Sequence, residues 1–219
     1  MVTPHGRVDP SERGFSVAEL MIGLLISSLT MAAAITMTDQ VSRSYTSQLD
    51  DAVIQEEARY ALQWIEGSLR SAGSNPYGIL TTDCPIPGTL VQAVQRDPDA
   101  DGVMDDIRIM RDTNPPNGQF GGVPCGSDAA EDITIAFDPV NRVITRLDNS
   151  LGGAPVSMSD SVIAGLQFTY LDLNRAPAAT DAATTYVQIA VTAQAPNRDR
   201  NTGLRTSYTL RSEVRVRVR

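Results

Sequence analysis

Arg13-Gly14-Phe15-Ser16-Val17-Ala18-Glu19-Leu20-Met21-Ile22-Gly23-Leu24-Leu25-Ile26 opens the stretch that decides the fold. One carboxylate, Glu19, stands at the mouth of an apolar run, and the 19 residues from Leu20 to Thr38 carry no charge. With a helical rise of 1.5 Å per residue that run reaches about 29 Å, the thickness of one hydrocarbon core. The segment can therefore span a membrane. A charge inside such a helix costs roughly 2.5 to 3.5 kcal/mol on insertion scales, so Glu19 calls for a partner.

The helix is expected to continue beyond the membrane. After Asp39 the apolar positions run Val41, Tyr45, Leu49, Val53, Ala58, Leu62, Ile65 and Leu69, three to five residues apart with charges between them. No proline intervenes before Pro76, and Ala72-Gly73 followed by Asn75-Pro76 supplies a stop. The reading is thus one helix from Phe15 to Ala72, on the order of 87 Å if unbroken, or else a membrane helix followed by a separate short one. Its residues 15–38 are apolar all round, with Gly23 and Ser27 as a small-residue pair that admits close helix approach. Residues 39–73 carry a single stripe, which should pack on a globular head, residues 74–219.

The head reads as strands and loops. Candidate strands are 89–95, 107–111, 132–137, 142–147, 162–173, 185–193 and 207–218. Val187, Ile189, Val191 and Ala193 alternate with polar neighbours, as do Val214, Val216 and Val218 with Arg215, Arg217 and Arg219. Residues 118–127, 177–183 and 197–203 are loop signals. A long helix feeding an antiparallel sheet is an α+β arrangement. The Arg-rich C-terminal face suits either an acidic neighbour or a solvated strand guarded against edge pairing.

Composition narrows the function. The 219 residues suit one domain plus an N-terminal extension, and 42% hydrophobic content with periodic apolar segments is not that of a disordered chain. A net charge of −8 argues against a nucleic-acid binder held by phosphate neutralisation. All 18 basic residues are arginine. His5 is the one histidine and precedes the apolar run, so a mature chain without its leader would have no histidine for triads, general bases or metal ligation. Nor is there a nucleophile elbow or a phosphate loop.

Three readings of the N-terminus compete. A secretory signal would have a basic front and a cleavage site such as Met31-Ala32-Ala33-Ala34, but Asp9 and Glu12 cancel Arg7 and Arg13, and Glu19 breaks the apolar region. A plain uncleaved anchor accounts for the length but not for Gly14 or Glu19. The third reading rests on Gly14, Phe15 and Glu19, the last being the fifth residue after the glycine. This group resembles the class III signal of type IV pilins and pseudopilins. The resemblance implies a leader, residues 1–14, removed after Gly14 by a membrane-embedded aspartyl prepilin peptidase that then methylates the amine of Phe15. It further implies that Glu19 pairs with that amine, within a chain or between neighbours, and so registers subunits during assembly; the first-turn position also favours an anion. The head would face the periplasm, with the chain passing once through the inner membrane.

Two features of the head remain. Asp97-Pro98-Asp99-Ala100-Asp101-Gly102-Val103-Met104-Asp105-Asp106 matches the opening of a calcium loop, with acidic residues at alternate positions and glycine at the sharp turn. The expected ligands are Asp97, Asp99, Asp101, the carbonyl of Val103, Asp105 and Asp106. Arg108 stands where an EF-hand has its bidentate glutamate, so the shorter loops of extracellular modules are the better match. An acidic turn without metal is the competing reading. No organic cofactor is expected. Cys84 and Cys125 are the only cysteines, too far apart in sequence for zinc or redox motifs. In an oxidising periplasm a disulfide between them would contribute up to roughly 4 kcal/mol, the alternative being two free thiols.

Within that family, Glu57-Ala58-Arg59-Tyr60-Ala61-Leu62, Leu69-Arg70-Ser71-Ala72-Gly73 and Gly165-Leu166-Gln167-Phe168-Thr169-Tyr170-Leu171-Asp172 are similar to segments of the larger minor pilins, and the last also to the J-type pseudopilin of type II secretion. The expectation is a non-enzymatic minor pilin that primes or caps a type IV pilus near its tip, with other pilin subunits as partners. A minor pseudopilin of a type II secretion system is the close second. From a different class comes a membrane-tethered calcium-binding or enzymatic domain, in which paired carboxylates would have to carry any catalysis.

Overall fold

The computed structural model describes residues 15–74, 93–113, 129–198 and 203–217. The leader with Gly14, the Asn75-Pro76 stop, both cysteines and the 118–127 loop lie outside the described residues. Among the described residues the elements are one long helix, α1 (Val17–Ser71), and eight strands: β1 (Val94–Arg96), β2 (Asp106–Met110), β3 (Asp132–Asp138), β4 (Val143–Asp148), β5 (Val156–Ser157), β6 (Ile163–Leu171), β7 (Tyr186–Gln194) and β8 (Ser207–Arg215). A turn of 3-10 helix, Asp181–Ala183, lies inside the 177–183 segment read as loop. The fold class is α+β, as the sequence predicts. Two compact units divide the chain, one ending at Gln48 and the other beginning at Leu49.

The first unit contains the N-terminal part of α1. Every described residue from Phe15 to Gln48 is exposed, including Leu20, Ile22, Leu24, Leu25 and Ile26 at 56 to 63%. α1 is the one helix among the described residues that is long and apolar enough to cross a membrane. Four hydroxyls of its apolar part are already satisfied. Ser28 donates to the Leu25 carbonyl, Thr30 to Ser27, Thr36 to Ala33 and Thr38 to Ala34, at 2.8 to 2.9 Å. Back-bonding of this kind leaves no free O–H donor on those four side chains to face lipid.

The second unit is built on two antiparallel sheets. β1 to β5 form a five-stranded meander in chain order, and β6, β7 and β8 form a three-stranded one. Alternation drives both. On β7, Val187, Ile189, Val191 and Ala193 are buried to within 1% while Gln188 faces solvent, as period-2 patterning requires. One hydrophobic core joins the two sheets to the C-terminal part of α1 through Ile54, Ala58, Ala61, Leu62, Ile65, Leu69 and Ala72. The sheets meet along the outer edge of β6. The amide of Phe168 donates to the Met104 carbonyl at 2.8 Å and that of Ile163 to the Arg142 carbonyl at 3.1 Å.

The helical stripe differs in one respect from its prediction. Leu49 and Val53 stay about half exposed, at 46 and 49%, and the core-facing stripe starts at Ile54. One residue along a helix turns the side chain by about 100°. Ile54 therefore lies on the line of Ala58, Ala61 and Ile65, and Val53 falls beside it. Val41 and Tyr45 are exposed too. β5 and the exact strand ends were also beyond the sequence reading, since Val156-Ser157 is too short for any periodicity to register.

The helix ends as its sequence predicts. Gly73 adopts φ +69°, the left-handed conformation that glycine enters without a Cβ penalty. Its amide donates to the Met110 carbonyl at 2.9 Å, and the Asp112 amide donates to the Ser74 carbonyl at 2.8 Å. Arg111 completes the junction by donating to the Ala130 carbonyl at 2.9 Å and to the Ser71 hydroxyl. Burial, then the charge of Arg146, lowers its pKa, yet its position at a helix C-terminus favours a cation. Replacing it with leucine (R111L) removes these charge-assisted bonds and should cost about 1.5 to 3 kcal/mol, read as a lower urea midpoint with an unchanged slope.

Candidate functional site

Two places carry chemistry, and each is built by local sequence. The first is the start of α1. The Ser16 amide donates to Glu19 Oε2 at 3.0 Å, and the Glu19 amide donates to Ser16 Oγ at 3.2 Å. This reciprocal pair is a capping box, in which the helix-cap serine and the glutamate three residues on satisfy each other's backbone donors. The signal Ser16-Val17-Ala18-Glu19, a serine with glutamate three residues on ahead of an apolar run, is present in the sequence. The Glu19 carboxylate therefore has a partner in its own chain: the Ser16 N–H, at the positive end of the helix dipole. Phe15, immediately before the cap, is 89% exposed.

The second place is the loop between β1 and β2. Asp97 and Ala100 have φ of 45° and 61°, and Gly102 has φ of 84°. The Asp97 carboxylate organises this tight path, accepting from the Asp101 amide at 3.1 Å and the Gly102 amide at 3.0 Å. Asp99 Oδ1 accepts from the Asp101 amide at 3.2 Å. One carboxylate oxygen from each of Asp97, Asp99 and Asp106 lies within 4.8 Å of the others.

The predicted ligand set is thus partly assembled. Asp97, Asp99 and Asp106 converge, whereas Asp101 and Asp105 fall outside the trio. Asp101 is turned back on its own loop, its Oδ1 accepting from the Val103 amide at 2.7 Å, so Val103 enters the contacts as a donor. Asp105 is drawn toward the five-stranded sheet, where its carbonyl accepts from the Phe137 amide at 3.2 Å. Asp106 opens β2 and is only 3% exposed. Tyr170 on β6 donates to its backbone carbonyl at 3.1 Å. Burial, then the charge of Asp99, pushes the Asp106 carboxyl up to about 7, against an opposing bond from the Asp99 amide. Burial first and then Asp101 also raise Asp105.

Cations nearby are committed elsewhere. Arg96, next to Asp97 in the chain, donates to Asp181 at 2.6 Å and to the Ala178 carbonyl at 2.8 Å, with its guanidinium 5.8 Å from the Tyr170 ring centre. Arg108 holds Asp132 through two bonds of 2.8 and 2.5 Å. None of the ion pairs among the described residues includes an aspartate of the loop. Both features of Arg96 and Arg108 depend on distant chain segments, so the sequence alone held no signal for them.

Together these observations define a class: an α+β chain with one long N-terminal helix, apolar and uncovered at its start, whose later turns pack on antiparallel sheets. That is a pilin-like architecture. No protein-family model, no curated protein and no solved structure matches the chain.

Proposed function

We propose that this chain is a structural, non-enzymatic subunit of a membrane-assembled filament, a minor pilin that primes or caps a type IV pilus. One observation carries the reading: an apolar helix, exposed at every described residue from Phe15 to Gln48, begins at a cap where Glu19 is the only charged side chain among the described residues. An apolar surface of that extent is not stable in water. It belongs in lipid before assembly and against the helices of neighbouring subunits afterwards. The prepilin peptidase would cleave after Gly14 and methylate Phe15, leaving the head in the periplasm. The new amine would then sit one residue from the Ser16 amide that Glu19 already accepts.

The capping box supplies a sharp test. Glutamine at position 19 preserves the cap but removes the charge, whereas alanine removes both. An unpaired charge in the hydrocarbon region costs roughly 2.5 to 3.5 kcal/mol, on the order of 100-fold in an equilibrium. If assembly depends on the charge pair, Glu19→Gln and Glu19→Ala both lose incorporation into sheared filaments by about that factor. If Glu19 only caps the helix, Glu19→Gln incorporates normally and the proposal fails. Intact mass of the mature chain checks cleavage after Gly14 and one methyl group on Phe15. Deleting the gene and scoring surface pili and secreted protein separately tells a pilus subunit from a type II secretion pseudopilin.

A further inference from the structure

Five aspartates in ten residues of a surface turn are unremarkable while they face water, but Asp106 does not. Its residue is 97% removed from solvent, being 3% exposed, and its Oδ1 is buried without any hydrogen-bond partner. A buried acceptor left unsatisfied costs about 1 to 3 kcal/mol, more when charged. By contrast, amides of the turn donate to both oxygens of Asp97 and to Oδ1 of Asp99 and of Asp101. Something other than the turn must account for a carboxyl group set into the protein wall and aimed at two further carboxylates.

We infer that Asp97, Asp99 and Asp106 hold one calcium ion at the junction of the two sheets. Oxygens on opposite sides of a calcium ion lie up to about 5 Å apart, given metal–oxygen distances of 2.3 to 2.6 Å. The three carboxylate oxygens, within 4.8 Å of one another, fit inside that limit. Calcium takes six to eight oxygens in a flexible shell, so water and bidentate binding complete a site that three side chains begin. Magnesium demands a stricter octahedron and gives up water reluctantly. The ion would supply the cation that Arg96 and Arg108 do not.

The position gives the site a consequence. Directly before Asp106, the carbonyl of Met104 accepts from Phe168 of the three-stranded sheet, and that of Asp105 accepts from Phe137 of the five-stranded one. An ion held by Asp97, Asp99 and Asp106 pins the stretch that joins both sheets. Calcium therefore regulates the stability of the head. This inference is independent of the filament reading, since it needs neither cleavage nor assembly.

The test uses the full chain purified in detergent micelles and stripped with a calcium chelator. Trp64 is the only tryptophan and packs against the core, so its fluorescence reports unfolding of the head. At about 10 mM calcium, on the order of 100 times the dissociation constant of a weak extracellular site, the midpoint of thermal unfolding should rise by roughly 5 to 10 °C. Equal magnesium should give much less. Asp99→Asn and Asp106→Asn should each abolish the calcium shift, while Asp160→Asn, outside the loop, retains it. Asp99 is exposed, so its variant keeps the test valid even if the buried position tolerates no change. Equilibrium dialysis with radiolabelled calcium should count one ion per chain in the wild type and none in Asp99→Asn. No shift in the wild type, an equal shift with magnesium, or a shift that survives Asp99→Asn would overturn the inference.

Discussion

Gly73→Ala is expected to cost more stability than any other single-methyl change among the described glycines. A Cβ built at this position lies 2.2 Å from the Arg217 carbonyl oxygen and 2.8 Å from the Ala93 Cβ. Contacts under 3 Å are not sustained, and the first is to backbone, which cannot swing aside as a side-chain tip can. The strand end is also held, because the neighbouring Val216 amide donates to the Thr185 carbonyl at 2.9 Å. Moving Gly73 instead breaks its bond to Met110, whose own amide is bonded to Ala93. A left-handed conformation adds about 1 to 2 kcal/mol for any residue with a Cβ. Together with the displaced contacts, the loss should reach about 3 to 5 kcal/mol, a large share of the 5 to 15 kcal/mol that holds a typical domain. Gly67→Ala is the matched control. Gly67 lies in the helix interior with no atom within 4 Å of the added Cβ, and alanine there should stabilise by about 0.5 to 1 kcal/mol. Chemical denaturation of both variants reads the contrast, and equal effects would refute the account of the helix end.

Phe168→Ala should come close behind. Phe168 is 1% exposed and is the largest fully buried side chain among the described residues. Its ring centre lies 6.4 Å from that of Tyr170 in a tilted arrangement, a geometry that adds to simple burial. Truncation removes the transfer term and leaves a cavity at the meeting line of the sheets, for about 3 to 5 kcal/mol in a core that cannot collapse around it. Leu166 and Tyr170 share the inward face of β6, so a double variant at 168 and 170 should depart from additivity. The measurement is again the denaturant midpoint. A loss below about 1 kcal/mol would mean the sheets do not share one close-packed core.

The sequence made much of the fold legible, and unevenly. α1 was readable from Leu20 through Leu69 because apolar spacing and the lack of proline are local facts, and its stop at Gly73 because glycine takes that backbone without a Cβ penalty. β6, β7 and β8 were readable by alternation, since each has nine residues and one wet face. β5 is only two residues long, and the 3-10 turn at Asp181–Ala183 gave no period to detect. At the candidate sites, the aspartate spacing identified the loop and Gly14, Phe15 and Glu19 marked the N-terminal motif. Nothing local, however, told which aspartates face each other.

By itself the sequence determined that this chain has an apolar helix able to span a membrane, a single charge at its mouth, and an α+β head. Those properties follow from hydropathy and from periods of 3.6 and 2, which every residue expresses within a few neighbours. Only the tertiary structure decided that Ile54 rather than Val53 begins the core stripe, that Glu19 is bonded within its own helix cap, and that Asp106 is buried while Asp101 is not. Those depend on which surface arrives from elsewhere in the chain. The wall that buries Asp106 is contributed in part by Tyr170, 64 residues away, and no pattern within the loop can encode its arrival.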